Sequence, residues 1–174
     1  MKLIAFVYTG TALWLAAYGL NAFILVLLYL RHRGHTHPAP TVDSDRLPAV
    51  TVQVPVYNER HVIERAIDPM AALEYPRDRL EIQILDDSTD ETTHLASRRA
   101  AFHRRKGLDI EVIHRPNRRG FKAGALSWGL KNAQGEYVAI FDADFCPRSD
   151  FLLKTVPHFL SQPRLGLVQT RWSH

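Results

Sequence analysis

From Leu3 to Leu30 the chain carries no charged side chain, and only Thr9, Thr11 and Asn21 are clearly polar. A helix of that length spans about 42 Å at 1.5 Å per residue. The hydrocarbon core of a bilayer is about 30 Å thick, so one crossing with tilt or an emergent turn is comfortable. The run is longer than the apolar core of most removable signal sequences, and no clear small-x-small cleavage pattern follows it. Residues 1–33 therefore read as a retained transmembrane helix with its basic flank. Arg31 and Arg33, beside His32, follow the span against Lys2 before it, which directs the rest of the chain to the cytoplasmic side. Residues 34–47, with Pro38, Pro40 and several small polar residues, read as a linker.

Residues 48–174 alternate regularly between strand and helix patterns. Ala49–Val56 is a β-rich run, and Glu59 to about Leu73 is helical, with Pro69 expected to break or restart the helix and Asp68 to cap the restart. Leu80–Leu85 is a second strand, Asp90–Lys106 a helix and Leu108–His114 a third strand. Phe121–Asn132 is a helix ended by Gly135, Tyr137–Phe141 a fourth strand, Ser149–Leu160 a helix and Leu165–Thr170 a fifth strand. Apolar strands alternating with helices imply an α/β fold with a mostly parallel sheet flanked by helices. In such sheets ligands bind beyond the carboxyl ends of the strands.

Those ends carry unusual residues. The first strand ends in Pro55-Val56-Tyr57-Asn58-Glu59, the second in Asp86-Asp87-Ser88-Thr89-Asp90, and the fourth in Asp142-Ala143-Asp144. Burying a carboxylate is costly, so an apolar strand that stops at two acids delivers them to an exposed edge. On an extended chain residues i and i+2 project to the same side, so Asp142 and Asp144 are suited to share one divalent cation. The basic segment Arg115-Pro116-Asn117-Arg118-Arg119-Gly120-Phe121-Lys122-Ala123-Gly124 arrives at the same edge. Its Lys122 lies near a helix N-terminus, where phosphate is favoured.

Composition narrows the classes further. Of 174 residues, 46% are hydrophobic and 23% charged, which suits a folded chain. The net charge of +4 does not form a nucleic-acid footprint. Arg98, Arg99, Arg104, Arg105 and Lys106 share one helix as a solvated face, with no binding motif beside them. No nucleic-acid partner is expected, and a membrane surface is. The single Cys146 excludes an intrachain disulfide. The histidines of the linker, His35 and His37 with His32 before them, suggest a polar tether and no metal site.

The segments Val54-Pro55-Val56-Tyr57-Asn58-Glu59, Leu85-Asp86-Asp87-Ser88, Gly120-Phe121-Lys122-Ala123-Gly124 and Phe141-Asp142-Ala143-Asp144-Phe145 together carry a family pattern. In order and spacing they resemble family 2 glycosyltransferases of GT-A fold, especially cellulose synthase and the cellulose-synthase-like mannan and glucan synthases. Val168-Gln169-Thr170-Arg171-Trp172 extends the similarity. The resemblance implies that Pro55, Tyr57 and Glu59 lie near the nucleotide, that Asp86 and Asp87 contact its base or ribose, and that Lys122 approaches its diphosphate. It implies that Asp142 and Asp144 form the Asp-x-Asp motif that contacts the nucleotide sugar and its Mg²⁺ or Mn²⁺. Asp87 is the family-matched catalytic aspartate. The implied reaction is an inverting transfer of a hexose, from GDP-mannose or UDP-glucose, to a growing β-linked polysaccharide or glycolipid acceptor. A plasma, inner or Golgi-type membrane with the catalytic part in the cytoplasm is the implied location.

Two parts of the family pattern are not met. The general base of the group follows the Asp-x-Asp segment, and of the acids after Asp144 only Asp150 remains, at a helix start. The acceptor motif Gln-x-x-Arg-Trp is not matched by Gln169-Thr170-Arg171-Trp172, which has one intervening residue, so Trp172 is expected to pack in or beside the sheet. The catalytic domain is therefore expected to be incomplete and this polypeptide alone inactive. Two other readings stay open: a polyprenyl-phosphate glycosyltransferase, and a non-catalytic membrane-anchored nucleotide-binding subunit. A dinucleotide-dependent oxidoreductase would need a glycine fingerprint where Pro55 to Arg60 stand.

Overall fold

The computed structural model describes residues 1–34 and 40–170. The chain divides into two compact units, Met1–Pro38 and Ala39–His174. In the first, helix α1 (Lys2–His32) buries none of its residues and is long and apolar enough to cross a membrane. Arg31 and His32 occupy its last turn, where cations complement the helix dipole.

The second unit is built on four parallel strands in the order β3-β2-β1-β4: β1 (Val50–Val56), β2 (Leu80–Asp86), β3 (Asp109–His114) and β4 (Tyr137–Ile140). The helices between and after them are α2 (Ile63–Ala71), α3 (Thr92–Arg104), α4 (Phe121–Leu130) and α5 (Phe151–Ser161). Strand alternation sorts the sheet's two faces. Val50, Val52, Val54 and Val56 of β1 join Leu80, Ile82 and Ile84 of β2, and with Ile63, Ile67 and Met70 of α2 and Ala96 and Ala100 of α3 they form the core.

Of the intervening positions, Thr51, Gln53, Glu81 and Gln83 are polar. Thr51 donates to Glu81 Oε2 at 2.5 Å, Gln53 Nε2 to Gln83 Oε1 at 2.9 Å, and Gln83 Nε2 to Glu81 Oε1 at 3.0 Å. This satisfied polar row lies beneath α4, where Gly129 leaves no room for a side chain above Leu85, Gln53 and Gln83. Glu81 and Thr51 also accept from the backbone N–H groups of Gln134 and Gly135, which fixes the connection from α4 to β4.

Three sequence expectations need correction. Pro69 does not break α2, which runs through it to Ala71. The lost N–H would have served the carbonyl of Arg65, an exposed residue whose carbonyl water can satisfy. Asp68 does not cap a restart. Its carboxylate accepts two bonds of 2.6 Å from Arg99 and one of 2.8 Å from His103, clasping α2 to α3. Residues 165–170 form no strand; Gly166, Leu167 and Val168 line a cavity of about 430 Å³ against β4 and α5, and no ladder bonds join them to β4. A four-residue strand at the sheet edge offers little to pair with, and Gly166 weakens the run further. Arg171 and Trp172 lie outside the described residues.

Candidate functional site

Parallel register brings the acids to one edge. Val56 of β1 lies beside Asp86 of β2, and Asp86 beside His114 of β3. The ladder continues one step past the strands: Asp87 N–H donates to Val56 carbonyl at 3.0 Å, and Arg115 N–H to Asp86 carbonyl at 3.2 Å. On the other side of β1, the Phe141 N–H donates to Gln53 carbonyl at 3.1 Å, so Asp142 follows directly at the same edge.

The turn after β1 depends on Asn58. Its φ of 54° is left-handed, a conformation that asparagine tolerates better than most residues. Its N–H donates to Ser88 Oγ, and its Oδ1 accepts from the Thr89 N–H, each at 2.9 Å. The two strand-end loops are thereby stitched together, and Asn58 does not serve as a helix cap. Tyr57 and Glu59 on either side are exposed.

The adjacent aspartates have opposite environments. Asp86 is fully buried; its Oδ1 accepts from Ser88 N–H at 3.0 Å, and its Oδ2 bonds Thr93 Oγ1 at 2.5 Å and His114 Nδ1 at 2.8 Å. Burial works to raise its carboxyl, but the hydrogen bonds from Ser88, Thr93 and His114 prevail and hold it below the ordinary carboxylate value. Asp86 therefore braces the floor of the site, and its oxygens are committed. Asp87 pairs with Arg115, whose Nε and Nη2 reach its two oxygens at 2.6 and 2.5 Å with both side chains almost fully buried. The same guanidinium donates to the carbonyls of Arg119 at 3.1 Å and Phe121 at 3.2 Å.

Arg115 thus joins the end of β2 to the loop that leads into α4. That loop packs tightly, because a Cβ on Gly124 would lie 2.1 Å from the Arg119 carbonyl oxygen. Pro55, Val56, Tyr57, Glu59, Asp87, Arg118, Lys122 and Ala125 line a cleft of about 150 Å³. Lys122 also lines a second cavity of about 230 Å³, with Phe141, Asp142, Phe145 and residues 168–170. Its ammonium contacts the Asp142 carboxylate. One lysine therefore forms the wall between a cleft at the β1 and β2 ends and a cavity at the β4 end.

Asp142 and Asp144 do not continue an extended strand. The Phe145 N–H donates to the Asp142 carbonyl at 2.9 Å, closing a turn after β4, so the same-side argument for an extended pair does not apply. Both are exposed, and Asp144 makes no side-chain hydrogen bond or ion pair among the described residues. Among those residues no group of three His, Cys, Asp or Glu surrounds a common point. The donor set still fits a hard cation. Two oxygen-only side chains leave positions for water and phosphate, as Mg²⁺ and Mn²⁺ sites commonly do, and a lysine ammonium already rests on one of them.

Arg115 and Arg118 were expected only as part of the basic segment at this edge, without individual roles. Their signal was present: two arginines in the segment that follows a strand, next in chain order to the strand end that carries the acids.

A family model described as Glycosyl transferase family 2 matches residues 51–174. A probable glucomannan 4-beta-mannosyltransferase 4 from Oryza sativa subsp. japonica is 49% identical over 134 residues, 75% of this chain and 24% of the relative. Glucomannan 4-beta-mannosyltransferase 9 from Arabidopsis thaliana is 47% identical over 129 residues, 72% of this chain and 24% of the relative. The chain spans about a quarter of the length of these curated relatives. Among solved structures, the mannosyltransferase PcManGT from Pyrobaculum calidifontis, in complex with GDP-Man and Mn²⁺, matches with a TM-score of 0.66 and 37% identity over 77% of this chain and 39% of that one. S. aureus TarS shares the fold, with a TM-score of 0.57 and 24% identity over 66% of this chain and 33% of that one.

Proposed function

The chain belongs to glycosyl transferase family 2, and from that premise we propose that its second unit carries the donor-binding part of a membrane-anchored enzyme that transfers mannose from GDP-mannose to a growing β-linked polysaccharide. One observation carries the reading: Tyr57, Asp87, Lys122 and Asp142, from four separate segments, meet at the carboxyl edge of one parallel sheet. The named activities of the relatives, and the GDP-Man bound by the mannosyltransferase at 37% identity, favour GDP-mannose over UDP-glucose.

The residues divide the work by chemistry. Tyr57 offers an aromatic face at the mouth of the cleft, suited to a nucleobase. Asp87, fixed on both oxygens by Arg115, lines the cleft where a ribose hydroxyl or a base N–H would arrive. Its charge is neutralised by that same pair, so it orients the donor and does not abstract a proton. Lys122, at the start of α4, supplies positive charge to the diphosphate where the helix N-terminus also favours anions. Asp142 and Asp144 would hold a divalent cation, Mg²⁺ or Mn²⁺, which would supply positive charge to the departing nucleoside diphosphate. Attack by an acceptor hydroxyl on the face of the sugar opposite the diphosphate breaks the bond from the anomeric carbon to the diphosphate oxygen and inverts the centre. The hydroxyl proton passes to the general base that the family pattern places after the Asp-x-Asp segment. The transmembrane helix keeps donor binding at a membrane, with a cytoplasmic site matched to cytoplasmic nucleotide sugars.

The test is calorimetric titration of the full chain in detergent with GDP-mannose and UDP-glucose, with and without Mn²⁺, beside Asp144→Ala. Metal-dependent binding of GDP-mannose that the variant loses supports the reading. A folded chain that binds neither donor with metal present defeats it.

A further inference from the structure

The cleft contains a cation without an acidic partner. Arg115 is committed to Asp87 and Lys122 to Asp142, whereas Arg118 makes no ion pair with a carboxylate among the described residues. Its guanidinium carbon lies 3.3 Å from the centroid of the Tyr57 ring and 5.2 Å from that of Phe121. A planar cation stacked this closely covers the aromatic face that an incoming nucleobase would use.

The backbone beneath Arg118 is firmly held. The Arg119 N–H donates to Asn117 Oδ1 at 3.1 Å, the Phe121 N–H donates to the Arg118 carbonyl at 3.0 Å, and Arg115 holds the carbonyls of Arg119 and Phe121. Gly120 and Phe121 are consecutive left-handed residues, with φ of 77° and 50°. The second is an aromatic residue in a conformation that such residues rarely adopt, and strain of this kind gathers at ligand clamps. The backbone of the loop is therefore held at several points, while among the described residues the side chain of Arg118 has only its ring contacts.

We propose that Arg118 is a second diphosphate-binding cation: it leaves Tyr57 when a nucleoside diphosphate enters, frees the ring for the base and grips the phosphates beside Lys122. The assignment rests on the nucleotide-sugar reading of the cleft. Its chemical basis is charge and shape. A nucleoside diphosphate brings at least two negative charges into a cleft that Glu59 also lines; with Asp87 already paired to Arg115, Lys122 is the other cation at that wall. A guanidinium presents paired donors that match phosphate oxygens, and stacking keeps it close and incompletely hydrated.

The experiment titrates the full chain in detergent with GDP and with guanosine, both with Mn²⁺, for the wild type, Arg118→Gln and Arg118→Lys. Arg118 is exposed, so neither substitution disturbs the core. Arg118→Gln is expected to bind GDP about tenfold more weakly, with a flatter dependence on salt, and to bind guanosine unchanged or better. Arg118→Lys is expected to bind GDP with an affinity between those of the wild type and Arg118→Gln, because it keeps the charge but loses the paired donors. Wild-type affinity in Arg118→Gln, or equal losses for GDP and guanosine, would overturn the assignment while leaving the cleft a nucleotide site. Failure of the wild type to bind GDP would overturn both.

Discussion

Lys122, in the first turn of α4, contacts the carboxylate of Asp142 beyond the end of β4, so that one exposed ion pair separates the cleft beside Tyr57 from the cavity beside Phe145. Both side chains are about half exposed, at 52% and 50%. Pairs of this kind contribute little to stability and exchange readily. Each partner is therefore available to a better one: a divalent cation for Asp142 and a diphosphate for Lys122.

Lys122→Ala is accordingly expected to split two affinities. Mn²⁺ alone should bind severalfold more tightly, since the ammonium no longer competes for Asp142, while GDP should bind about tenfold more weakly. Paramagnetic resonance titration of Mn²⁺ and calorimetry of GDP read the two separately. Parallel losses of both ligands would mean that the pair is a brace and not an exchangeable contact.

The Arg115–Asp87 pair should behave in the opposite way. Its side chains are only 6% and 4% exposed, so removing one partner strands a buried charge. Arg115→Met and Asp87→Leu are each expected to lower stability by about 3–5 kcal/mol, and the double variant by less than their sum. Urea unfolding of the four proteins gives the coupling. Strict additivity would show that the two residues act independently.

The alternating core was legible because one period-2 pattern, Val50-Thr51-Val52-Gln53-Val54-Pro55-Val56, encodes both faces of a strand. The site was legible for a related reason. Parallel strands all point their carboxyl ends to one edge, so acids at Asp86, Asp87 and Asp142 converge whatever the strand order. Tertiary partners were not legible. Asp68 reads locally as a cap before Pro69, but Arg99 and His103 from α3 claim it. Residues 165–170 have a strand-like composition, yet a strand also needs a neighbour with free ladder groups in register, and local sequence does not report one. Arg115 was hidden among basic neighbours, because burial against Asp87 distinguishes it and charge alone does not.

Two glycines near α4 offer a graded test of packing. A Cβ on Gly135 would lie 2.3 Å from the Thr51 backbone nitrogen and 2.7 Å from the Val50 carbonyl carbon, both inside the central strand. On Gly129 it would meet the side-chain ends of Leu85, Gln53 and Gln83 at 2.6 to 2.8 Å. Side-chain ends move more easily than a paired strand. Gly135→Ala should therefore lose about 3 kcal/mol or more and Gly129→Ala about 1–2 kcal/mol. Thermal unfolding of both variants checks the order, and a larger loss at Gly129 would contradict it.

Asp86 makes acid stability a readable quantity. Its carboxyl lies below the ordinary value, because the hydrogen bonds from Ser88, Thr93 and His114 outweigh burial. An unfolded aspartate titrates near pH 3.9. As pH falls through that value the unfolded chain takes up the proton before the folded one, so the unfolded state binds more protons and stability declines. The contribution is complete above about pH 5 and is lost as pH falls through the folded value. Asp86→Asn should cost about 2 kcal/mol at pH 7, since the amide leaves partners of the buried carboxylate unsatisfied. Between pH 5 and 3 its urea midpoint should fall less steeply than that of the wild type, by up to one proton's worth of slope, with Asp68, Asp90 and Asp150 contributing to what remains. Identical slopes in the two proteins would remove Asp86 from the acid response and with it the claim that its carboxylate charge braces the floor of the site.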